Sequence, residues 1–328
     1  MSKDIKKVFI DGSVGTTGLR IKERLSERFD IELILLAEEV RKDNDARKEA
    51  IESSDITFLC LPDDAARDTI EMMQGCETVI IDTSTAHRTA EGWAYGFPEL
   101  GGGAQRDQIK KSKRIANPGC HASGFISLVA PLVENGLIKK EAKLSCFSLT
   151  GYSGGGKKMI AQYEGEGDGN GLISPRQYGL SQQHKHLKEM QALTGLKSAP
   201  AFCPIVASYY SGMEVSIPVF AEDMNAGIDE IKEFYKSYYG ALGAGNSVKA
   251  GLVRCADQID KDGFISAGDM QGRDDMLISV EGNEERLLLV ALFDNLGKGA
   301  SGAAIQNMNI VMGADETTGL ITSEAEEK

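Results

Sequence analysis

Cys120 stands where a helix can activate its thiol. The segment Asn117-Pro-Gly-Cys120 precedes Phe125–Leu132, an apolar stretch of helical character, and its proline and glycine break the preceding segment. This spacing predicts that Cys120 lies in the first turn of a helix, whose positive dipole end lowers the pKa of a thiol and favours the nucleophilic thiolate. The other five cysteines lie in apolar or strand-like segments, which predicts that they are small core residues.

Two of the four histidines, His184 and His186, lie in the segment Gln183–Glu189. If the segment is extended, the two imidazoles share a face; if it is helical, they diverge and His186 approaches Glu189 at i, i+3. Either arrangement supplies an imidazole for acid–base catalysis near pH 7. His121 follows the candidate nucleophile directly, but neighbours on a helix diverge by ~100°, which favours a structural role for it. No third ligand accompanies the histidine pair, so no metal site is predicted.

A glycine-rich loop follows the first predicted strand and opens a helix. Glycine lets the backbone approach a ligand, and a helix N-terminus offers free N–H groups and partial positive charge to a pyrophosphate. The spacing is G-x-x-G-x-x-G rather than the common G-x-G-x-x-G, so the glycines alone are a weak signal. The position of the loop between a strand and a helix is the stronger reason to predict a dinucleotide site. The alternative is a turn that only packs the helix on the strand. The candidate cofactor-binding residues of the loop are Gly12, Ser13, Gly15, Thr16, Thr17 and Gly18.

The residues after the second predicted strand leave the choice between NAD and NADP open. Glu38 and Glu39 lie about 20 residues after the loop, where an acidic residue favours the ribose of NAD. Arg41 and Lys42 follow at once and can hold the 2′-phosphate of NADP instead. A solvated charged loop is the third interpretation.

Two further loops combine hydroxyl groups, flexible backbone and cations. They run from Ser84 to Arg88 and from Thr150 to Lys158, and each follows a predicted strand. Doubly wound folds bind ligands at the carboxyl ends of their strands, and arginine clamps phosphate through two donors. Both loops are therefore candidate anion sites, with an ordinary solvated loop as the alternative.

The elements that must position these groups divide the chain into two parts. In the first part, short apolar runs alternate with helix-like segments, which is typical of a Rossmann-type doubly wound α/β fold with a parallel sheet. These runs are Lys7–Ile10, Ile31–Ala37, Ile56–Leu61 and Thr78–Asp82.

The later part of the chain has an α+β pattern, which predicts a second domain, and a last helix is predicted after it at Ala303–Met312. Its strands are predicted at Ala142–Leu149, Glu214–Phe220, Leu277–Glu281 and Leu287–Asp294, the last two as a hairpin, and its helices at Ser181–Thr194 and Met224–Tyr239.

Composition narrows the class of protein. The 328 residues suffice for about two domains, and the formal net charge of −13 argues against a nucleic-acid or anionic-membrane surface. No apolar run reaches the ~18 residues of a membrane span, and the N-terminus shows no signal-peptide pattern. The six scattered cysteines argue against a disulfide framework or a structural zinc site, so the reducing cytoplasm is the expected compartment.

Together these features predict a thiol-dependent dehydrogenase that acts on an acyl phosphate or an aldehyde. The thiolate attacks the acyl phosphate and expels phosphate, the thioester accepts hydride from a nicotinamide, and the thiohemiacetal collapses to an aldehyde. A nucleotide-sensing protein without turnover and a thiol hydrolase are the alternatives from other classes, but a hydrolase would need no glycine loop.

Six motifs span nearly the whole chain, namely Gly12–Leu19, Phe58–Asp63, Asp82–Arg88, Gly92–Leu100, Asn117–Cys120 and Asp294–Gly302. In combination they resemble the shorter form of the N-acetyl-γ-glutamyl-phosphate reductases of arginine biosynthesis. Each single motif is shared with the related aspartate-semialdehyde dehydrogenases, which use the same chemistry on aspartyl phosphate and are the closest alternative.

The resemblance implies roles for particular residues. It implies NADPH as the reductant, with Arg41 and Lys42 at its 2′-phosphate, and Cys120 as the thioester nucleophile. The acid/base histidine would be His184 or His186, and His186 is favoured. The remaining implied contacts are those of Ser153 and Gly154 with the cofactor, and those of Arg88, Asn117 and Lys157 with the substrate.

The resemblance also implies an organisation for the whole chain. Residues 1–119 and 299–328 would form an NADP-binding Rossmann domain, and residues 120–298 a catalytic and oligomerisation domain. The family usually forms dimers or tetramers and acts on small molecules. One departure is His121-Ala-Ser123, where relatives often have Tyr and Thr. It leaves the nucleophile in place but changes the residues beside it.

Overall fold

The computed structural model describes residues 5–165, 172–241 and 251–322. The chain divides into two compact units. The first unit comprises the residues up to Pro98 together with Gln105–Pro118 and Ala300–Leu320. The second unit comprises Glu99–Ala104, Gly119–Gly299 and the segment from Ile321 onward.

The first unit contains a parallel sheet of six strands in the order β2-β1-β3-β4-β6-β5. The strands are Lys6–Asp11 (β1), Ile31–Ile34 (β2), Ile56–Leu59 (β3), Val79–Asp82 (β4), Ala94–Tyr95 (β5) and Arg114–Ala116 (β6). The helices of this part of the chain are Thr16–Leu25 (α1), Asn44–Glu52 (α2), Asp63–Met72 (α3) and Ala104–Lys111 (α4). The predicted doubly wound α/β fold is confirmed.

The apolar runs form strands because both faces of this sheet are covered. Every residue of β3 is buried, as expected for a central strand between helices. The prediction of a strand from Ile31 to Ala37 was too long, since β2 ends at Ile34. This strand lies at the edge of the sheet, and its four residues pair with the first four of the six residues of β1.

The second unit contains a mixed sheet of seven strands in the order β11-β12-β13-β10-β7-β9-β8. The strands are Ser145–Gly151 (β7), Arg176–Gln177 (β8), Ala201–Ala207 (β9), Met213–Phe220 (β10), Val253–Cys255 (β11), Met276–Gly282 (β12) and Arg286–Phe293 (β13). The helices are Cys120–Glu134 (α5), Gly156–Glu164 (α6), His186–Thr194 (α7) and Ile228–Ala241 (α8). The predicted hairpin is confirmed as the antiparallel pair β12–β13. The Asn283 side chain stabilises its turn by accepting hydrogen bonds from the Glu285 and Arg286 N–H groups.

Helix α5 is the buried centre of the second unit. It packs against α7, β10 and β13. Gly124 is the point of closest approach, since a Cβ there would lie 2.5 Å from a methyl group of Val215. Alternate residues of β10, from Met213 to Val219, are buried, so the apolar face of the sheet lies under this helix.

A last helix, Gly302–Met312 (α9), brings the chain back to the first unit. It packs against α1 and β4, and the Arg28 guanidinium donates to Asn309 Oδ1 at 2.5 Å. Arg106 on α4 binds the Glu316 carboxylate just beyond the helix. Among the described residues, no helix is long and apolar enough to cross a membrane.

Candidate active site

Cys120 is the first residue of α5, as its surroundings in the sequence predict. Gly119 is the N-cap, in extended conformation, and its N–H donates to Glu189 Oε1 on α7 at 2.9 Å. The thiol is half-buried. The helix therefore offers its positive end to a sulfur atom that reagents can reach.

A tight turn over Gly297–Ser301 packs against this cysteine. A Cβ built on Gly299 would lie 2.9 Å from the Cys120 Cβ and 3.2 Å from the Asp294 carbonyl oxygen. The turn has π-helical hydrogen bonding, which is rare and concentrates at functional sites. Only glycine at position 299 lets the turn approach so closely, which explains why this glycine belongs to the motif.

Three of the four histidines come together in the second unit. The His184 and His186 rings are 4.7 Å apart and nearly perpendicular, and the His121 ring lies 5.8 Å and 5.6 Å from them. Helix α7 begins at His186, whose N–H donates to His184 Nδ1 at 3.3 Å. Neither alternative from the sequence holds in full, because His184 precedes the helix and the two rings still meet edge to face.

His121 joins this cluster through two hydrogen bonds. Its Nδ1 is 2.7 Å from Ser148 Oγ on β7, and its Nε2 is 2.7 Å from the Tyr178 hydroxyl just after β8. Burial, and secondarily the charge of His184, lowers the pKa of His121 to about 3, so the ring stays neutral at physiological pH. Burial also raises the pKa of Tyr178, and the charge of Cys120 raises it further.

Sequence reasoning missed Ser148 and Tyr178, and it considered Glu189 only as a neighbour of His186 and not as the acceptor for the Gly119 N–H. Ser148 lies on a strand that was predicted, where alternation puts it on the buried face with Cys146 and Thr150. A hydroxyl group at a buried position of an otherwise apolar strand needs a hydrogen-bond partner, and this need could have drawn attention to Ser148. Tyr178 follows a strand of two residues, for which the sequence carries no comparable pattern.

Ser153 and Gly154 lie in a short 3-10 turn between β7 and α6. The buried Ser153 hydroxyl accepts from Asn295 Nδ2 at 3.0 Å, and Asn295 Oδ1 accepts from the Gly212 N–H. Gly154 and Lys157 are exposed, the latter in the first turn of α6. Ser153 is thus fixed by hydrogen bonds in the interior, whereas Gly154 and Lys157 are open to solvent.

The neighbouring Asp294 is the organising residue that sequence reasoning left without a role. It is fully buried, and its two carboxylate oxygens accept four hydrogen bonds. The donors are the Ser211 hydroxyl and the N–H groups of Gly272, Leu296 and Gly297. This network ties the end of β13 to the turn that packs on Cys120.

Arg88 and Asn117 meet in the first unit. The Arg88 guanidinium donates to the Asn117 carbonyl at 2.9 Å and to the Thr83 carbonyl at 3.2 Å. The Asn117 side chain donates to the Ala300 carbonyl at 3.0 Å and accepts from Asn307 Nδ2 at 3.2 Å. Both residues are almost fully buried, so they hold the backbone of the segment that leads to Cys120.

The fourth histidine, His87, belongs to a separate arrangement in the first unit. Its Nδ1 lies 2.6 Å from Asp82 Oδ2, and its ring stacks on Trp93 at 4.1 Å. The Ser84 hydroxyl donates to the same carboxylate oxygen. The loop after β4 is therefore built around a buried aspartate rather than around open cations.

The glycine loop opens a cavity of about 450 Å³ at the carboxyl end of β1. Gly12 has a φ of +87°, and a Cβ there would collide with the Cys60 carbonyl oxygen. Helix α1 begins at Thr16, directly after Gly15, and Gly18 lets it touch the loop. These residues match a backbone cradle for a pyrophosphate, at the place where open α/β sheets bind dinucleotides.

Cations line the same cavity. Arg41, Lys42 and Arg47 all contribute to its wall. Arg41 also binds the exposed Glu38 carboxylate at 3.0 Å, and Arg47 binds Asp11 at the end of β1 at 2.8 Å. Burial raises the pKa of Asp11, while the Arg47 guanidinium opposes that shift. A polyanionic ligand therefore meets positive charge here.

Cys60 corrects one expectation. All five cysteines other than Cys120 were predicted to be core residues, but only Cys146 is buried, and Cys60, Cys76, Cys203 and Cys255 are half-buried. Cys60 lines this cavity, where the Gly12 turn packs on its carbonyl group. Burial raises the pKa of its thiol to about 12, so it remains a neutral thiol. It is not a second nucleophile.

Family models divide the chain in two. One described as "Semialdehyde dehydrogenase, NAD binding domain" matches residues 7–112, and one described as "Semialdehyde dehydrogenase, dimerisation domain" matches residues 120–295. The glycine loop and its cavity lie in the first match, and Cys120 with the histidine cluster lies in the second. The chain thus uses a nicotinamide cofactor.

Curated relatives refine this result. The "N-acetyl-gamma-glutamyl-phosphate reductase 2" of Nostoc sp. is 40% identical over 322 residues, covering 96% of this chain and 99% of the relative. The chain belongs to the N-acetyl-γ-glutamyl-phosphate reductase family. The reductase of Rhizobium meliloti is likewise 42% identical over 314 residues, covering 94% of this chain and 99% of the relative.

Solved structures share the fold at low identity. Aspartate semialdehyde dehydrogenase II from Vibrio cholerae aligns with a TM-score of 0.69 and 16% identity, over 93% of this chain and 98% of that one. The aspartate semialdehyde dehydrogenase from Candida albicans, solved with NADP, aligns with a TM-score of 0.68 and 16% identity, over 94% of this chain and 99% of that one. These neighbours confirm the fold of both units.

Proposed function

We propose that the chain reduces N-acetyl-γ-glutamyl phosphate to N-acetylglutamate 5-semialdehyde and phosphate, with NADPH as the reductant, in arginine biosynthesis. The observation that carries this proposal is a half-buried cysteine at the positive end of α5, whose next residue, His121, belongs to a cluster of three imidazoles and a tyrosine. Relatives at about 40% identity over almost their whole length support the choice of substrate.

The reaction begins at the Cys120 sulfur. The thiolate attacks the γ-carbonyl carbon, a C–S bond forms, and the bond from that carbon to the phosphate oxygen breaks, releasing phosphate. When bound, the nicotinamide supplies the hydride that reduces the resulting thioester. The C–S bond of the thiohemiacetal then breaks, which returns the thiolate and frees the aldehyde.

The histidine pair is proposed to manage the thiol proton. His186 is favoured over His184, because it is buried and begins α7, the helix whose Glu189 holds the Gly119 N–H beside the nucleophile. A ring nitrogen of His186 accepts the proton from Sγ before the attack and keeps it near the leaving phosphate. His184 packs against this ring and limits its orientation.

The cavity in the first unit is proposed to hold NADP rather than NAD. Three cations line it, and the Glu38 carboxylate that would favour a ribose hydroxyl is already bound to Arg41. Arg41 and Lys42 can therefore meet a 2′-phosphate, and the loop from Gly12 to Gly18, with Ser13, Thr16 and Thr17, meets the pyrophosphate. Ser153 and Gly154 are proposed as further cofactor contacts.

Lys157, Arg88 and Asn117 are proposed to contribute to substrate binding in different ways. Lys157 is exposed at the start of α6, where its ammonium group and the free N–H groups of the helix favour a phosphate. Arg88 and Asn117 contribute by holding the backbone just before the nucleophile. A reactive thiol at Cys120 also fits the reducing cytoplasm as the working compartment.

The function is tested by the reverse reaction in the presence of phosphate. We expect kcat/KM for N-acetylglutamate 5-semialdehyde with NADP⁺ to exceed that for aspartate semialdehyde by at least about 100-fold, because a site that binds the acetylated substrate leaves polar groups unpaired with the other one. A preference for aspartate semialdehyde would make the chain an aspartate-semialdehyde dehydrogenase. Faster turnover with NAD⁺ than with NADP⁺ would reject only the choice of cofactor.

We also propose that the chain forms a homodimer or homotetramer through its second unit, which matches a dimerisation domain. The sheet face opposite α5 carries Phe147, which is 41% exposed, and on the adjacent strand Pro218 and Phe220, the latter 59% exposed. Light scattering should give about two or four times the mass of the 35.3 kDa chain. Phe147→Asp should shift this mass toward the monomer, and a monomeric unmodified chain would contradict the proposal.

A further inference from the structure

An aspartate belongs to the wall of the cavity that the glycine loop opens. Asp11 is the last residue of β1, directly before Gly12, and it is only 3% exposed. Consecutive Cα atoms are ~3.8 Å apart, so this residue adjoins the loop whose N–H groups suit a pyrophosphate. A carboxylate at this place opposes the binding of a polyanion unless another group compensates its charge.

The compensating group is Arg47 on α2, which lines the same cavity. Its Nη2 lies 2.8 Å from Asp11 Oδ2, and its Nε lies 3.1 Å and 3.3 Å from the two carboxylate oxygens. Two nitrogens of one guanidinium thus donate to one carboxylate, which is a strong form of ion pair. The two side chains are 13% and 3% exposed, so solvent screens their attraction little.

The other donors of Arg47 are also engaged. Its Nη2 donates to Thr69 Oγ1 on α3, and its Nη1 donates to Asn44 Oδ1 at 3.1 Å. Together with the bonds to Asp11, four of the five N–H groups of the guanidinium have partners within the protein. Thr69 is itself held, because its hydroxyl donates to the Ala65 carbonyl at 2.7 Å. Arg47 is therefore a fixed part of the cavity wall.

We propose that Arg47 is a positioning residue for the cofactor's pyrophosphate, which acts by neutralising Asp11, and that it does not bind the 2′-phosphate. Arg41 differs from it, because its partner Glu38 is 83% exposed and a phosphate can displace that carboxylate at little cost. Arg47 should therefore affect NADH and NADPH equally, whereas Arg41 discriminates between them. The inference rests on the proposed function only in placing the dinucleotide in this cavity.

The test is a fluorescence titration of the full chain with NADH and with NADPH. Arg47→Met should raise the Kd of both by the same factor, about tenfold or more, because it leaves the Asp11 carboxylate uncompensated beside the pyrophosphate. Arg47→Lys keeps the positive charge and should recover most of this loss. The matched variant Arg41→Met should raise the Kd of NADPH and leave that of NADH almost unchanged.

A double variant separates charge from packing. Asp11→Asn with Arg47→Met removes both charges, so it should bind NADH nearly as tightly as the unmodified chain does. A loss confined to NADPH in Arg47→Met, equal losses in Arg47→Met and Arg47→Lys, or no recovery in the double variant would each overturn the proposal.

Asp11→Asn alone decides the matter if Arg47→Met does not fold. This change leaves the guanidinium without its counter-ion, so both NADH and NADPH should bind more tightly, and unchanged or weaker binding would overturn the proposal. These titrations need no substrate. Failure of the proposed function would therefore appear differently, as turnover of another substrate with this pattern of cofactor binding intact.

Discussion

Cys120→Ser should abolish turnover of the acyl phosphate, with kcat lower by about 10⁴-fold or more, while NADPH still binds. The expectation follows from the position of the sulfur at the start of α5, since a serine hydroxyl at the same place stays protonated and cannot form the acyl-enzyme at a useful rate. The glycine loop and its cavity belong to the other unit and keep their structure. Steady-state kinetics and a fluorescence titration with NADPH measure the two quantities separately.

Cys203→Ser is the matched control for this experiment. Cys203 is also half-buried in the second unit, but it lies on β9 and not at a helix start. Its replacement should leave kcat near the unmodified value. Rapid alkylation by iodoacetamide should disappear in Cys120→Ser and persist in Cys203→Ser. Residual turnover in Cys120→Ser within about tenfold of the unmodified chain would reject the thioester mechanism.

The position of Cys120 at a helix start was predictable because its determinants are local. Pro118 and Gly119 end one segment, and the apolar run after Cys120 has the character of a buried helix, which the structure confirms. The same holds for the glycine loop, where Gly12 needs a positive φ directly after a strand. Such features depend on a few consecutive residues, so composition and spacing suffice to find them.

The contacts of the residues on either side of Cys120 were not predictable in this way. The Glu189 carboxylate meets the Gly119 N–H across 70 residues, and the Tyr178 hydroxyl meets His121 across 57. These contacts exist only after α5 and α7 pack and β8 joins the sheet. Strand β9 was missed for a related reason: it contains Pro204, which local propensity counts against a strand, yet it pairs along its whole length with β7.

Lys298→Met should lower the free energy of unfolding by about 3–5 kcal/mol, the typical cost of breaking a buried ion pair on one side. The Lys298 Nζ lies 2.8 Å from both carboxylate oxygens of Glu99, and both side chains are fully buried. Methionine fills the volume of the lysine stem but leaves a carboxylate without its counter-ion in a site that water does not reach. Urea unfolding of the full chain, followed by circular dichroism, measures the change.

Two companion variants decide whether the loss comes from the unpaired charge. The double variant Glu99→Gln with Lys298→Met removes both charges, so it should recover most of the stability that Lys298→Met loses. Lys113→Met breaks the pair of Lys113 with Glu77, whose side chains are 51% and 86% exposed, and it should cost less than about 1 kcal/mol because solvent screens that interaction. If Lys298→Met lowered the free energy of unfolding by no more than Lys113→Met does, the Glu99–Lys298 pair would contribute no more stability than an exposed ion pair. Since Lys298 directly precedes the glycine that packs on Cys120, a large loss would also show that the buried ion pair stabilises the turn on which the position of Cys120 depends.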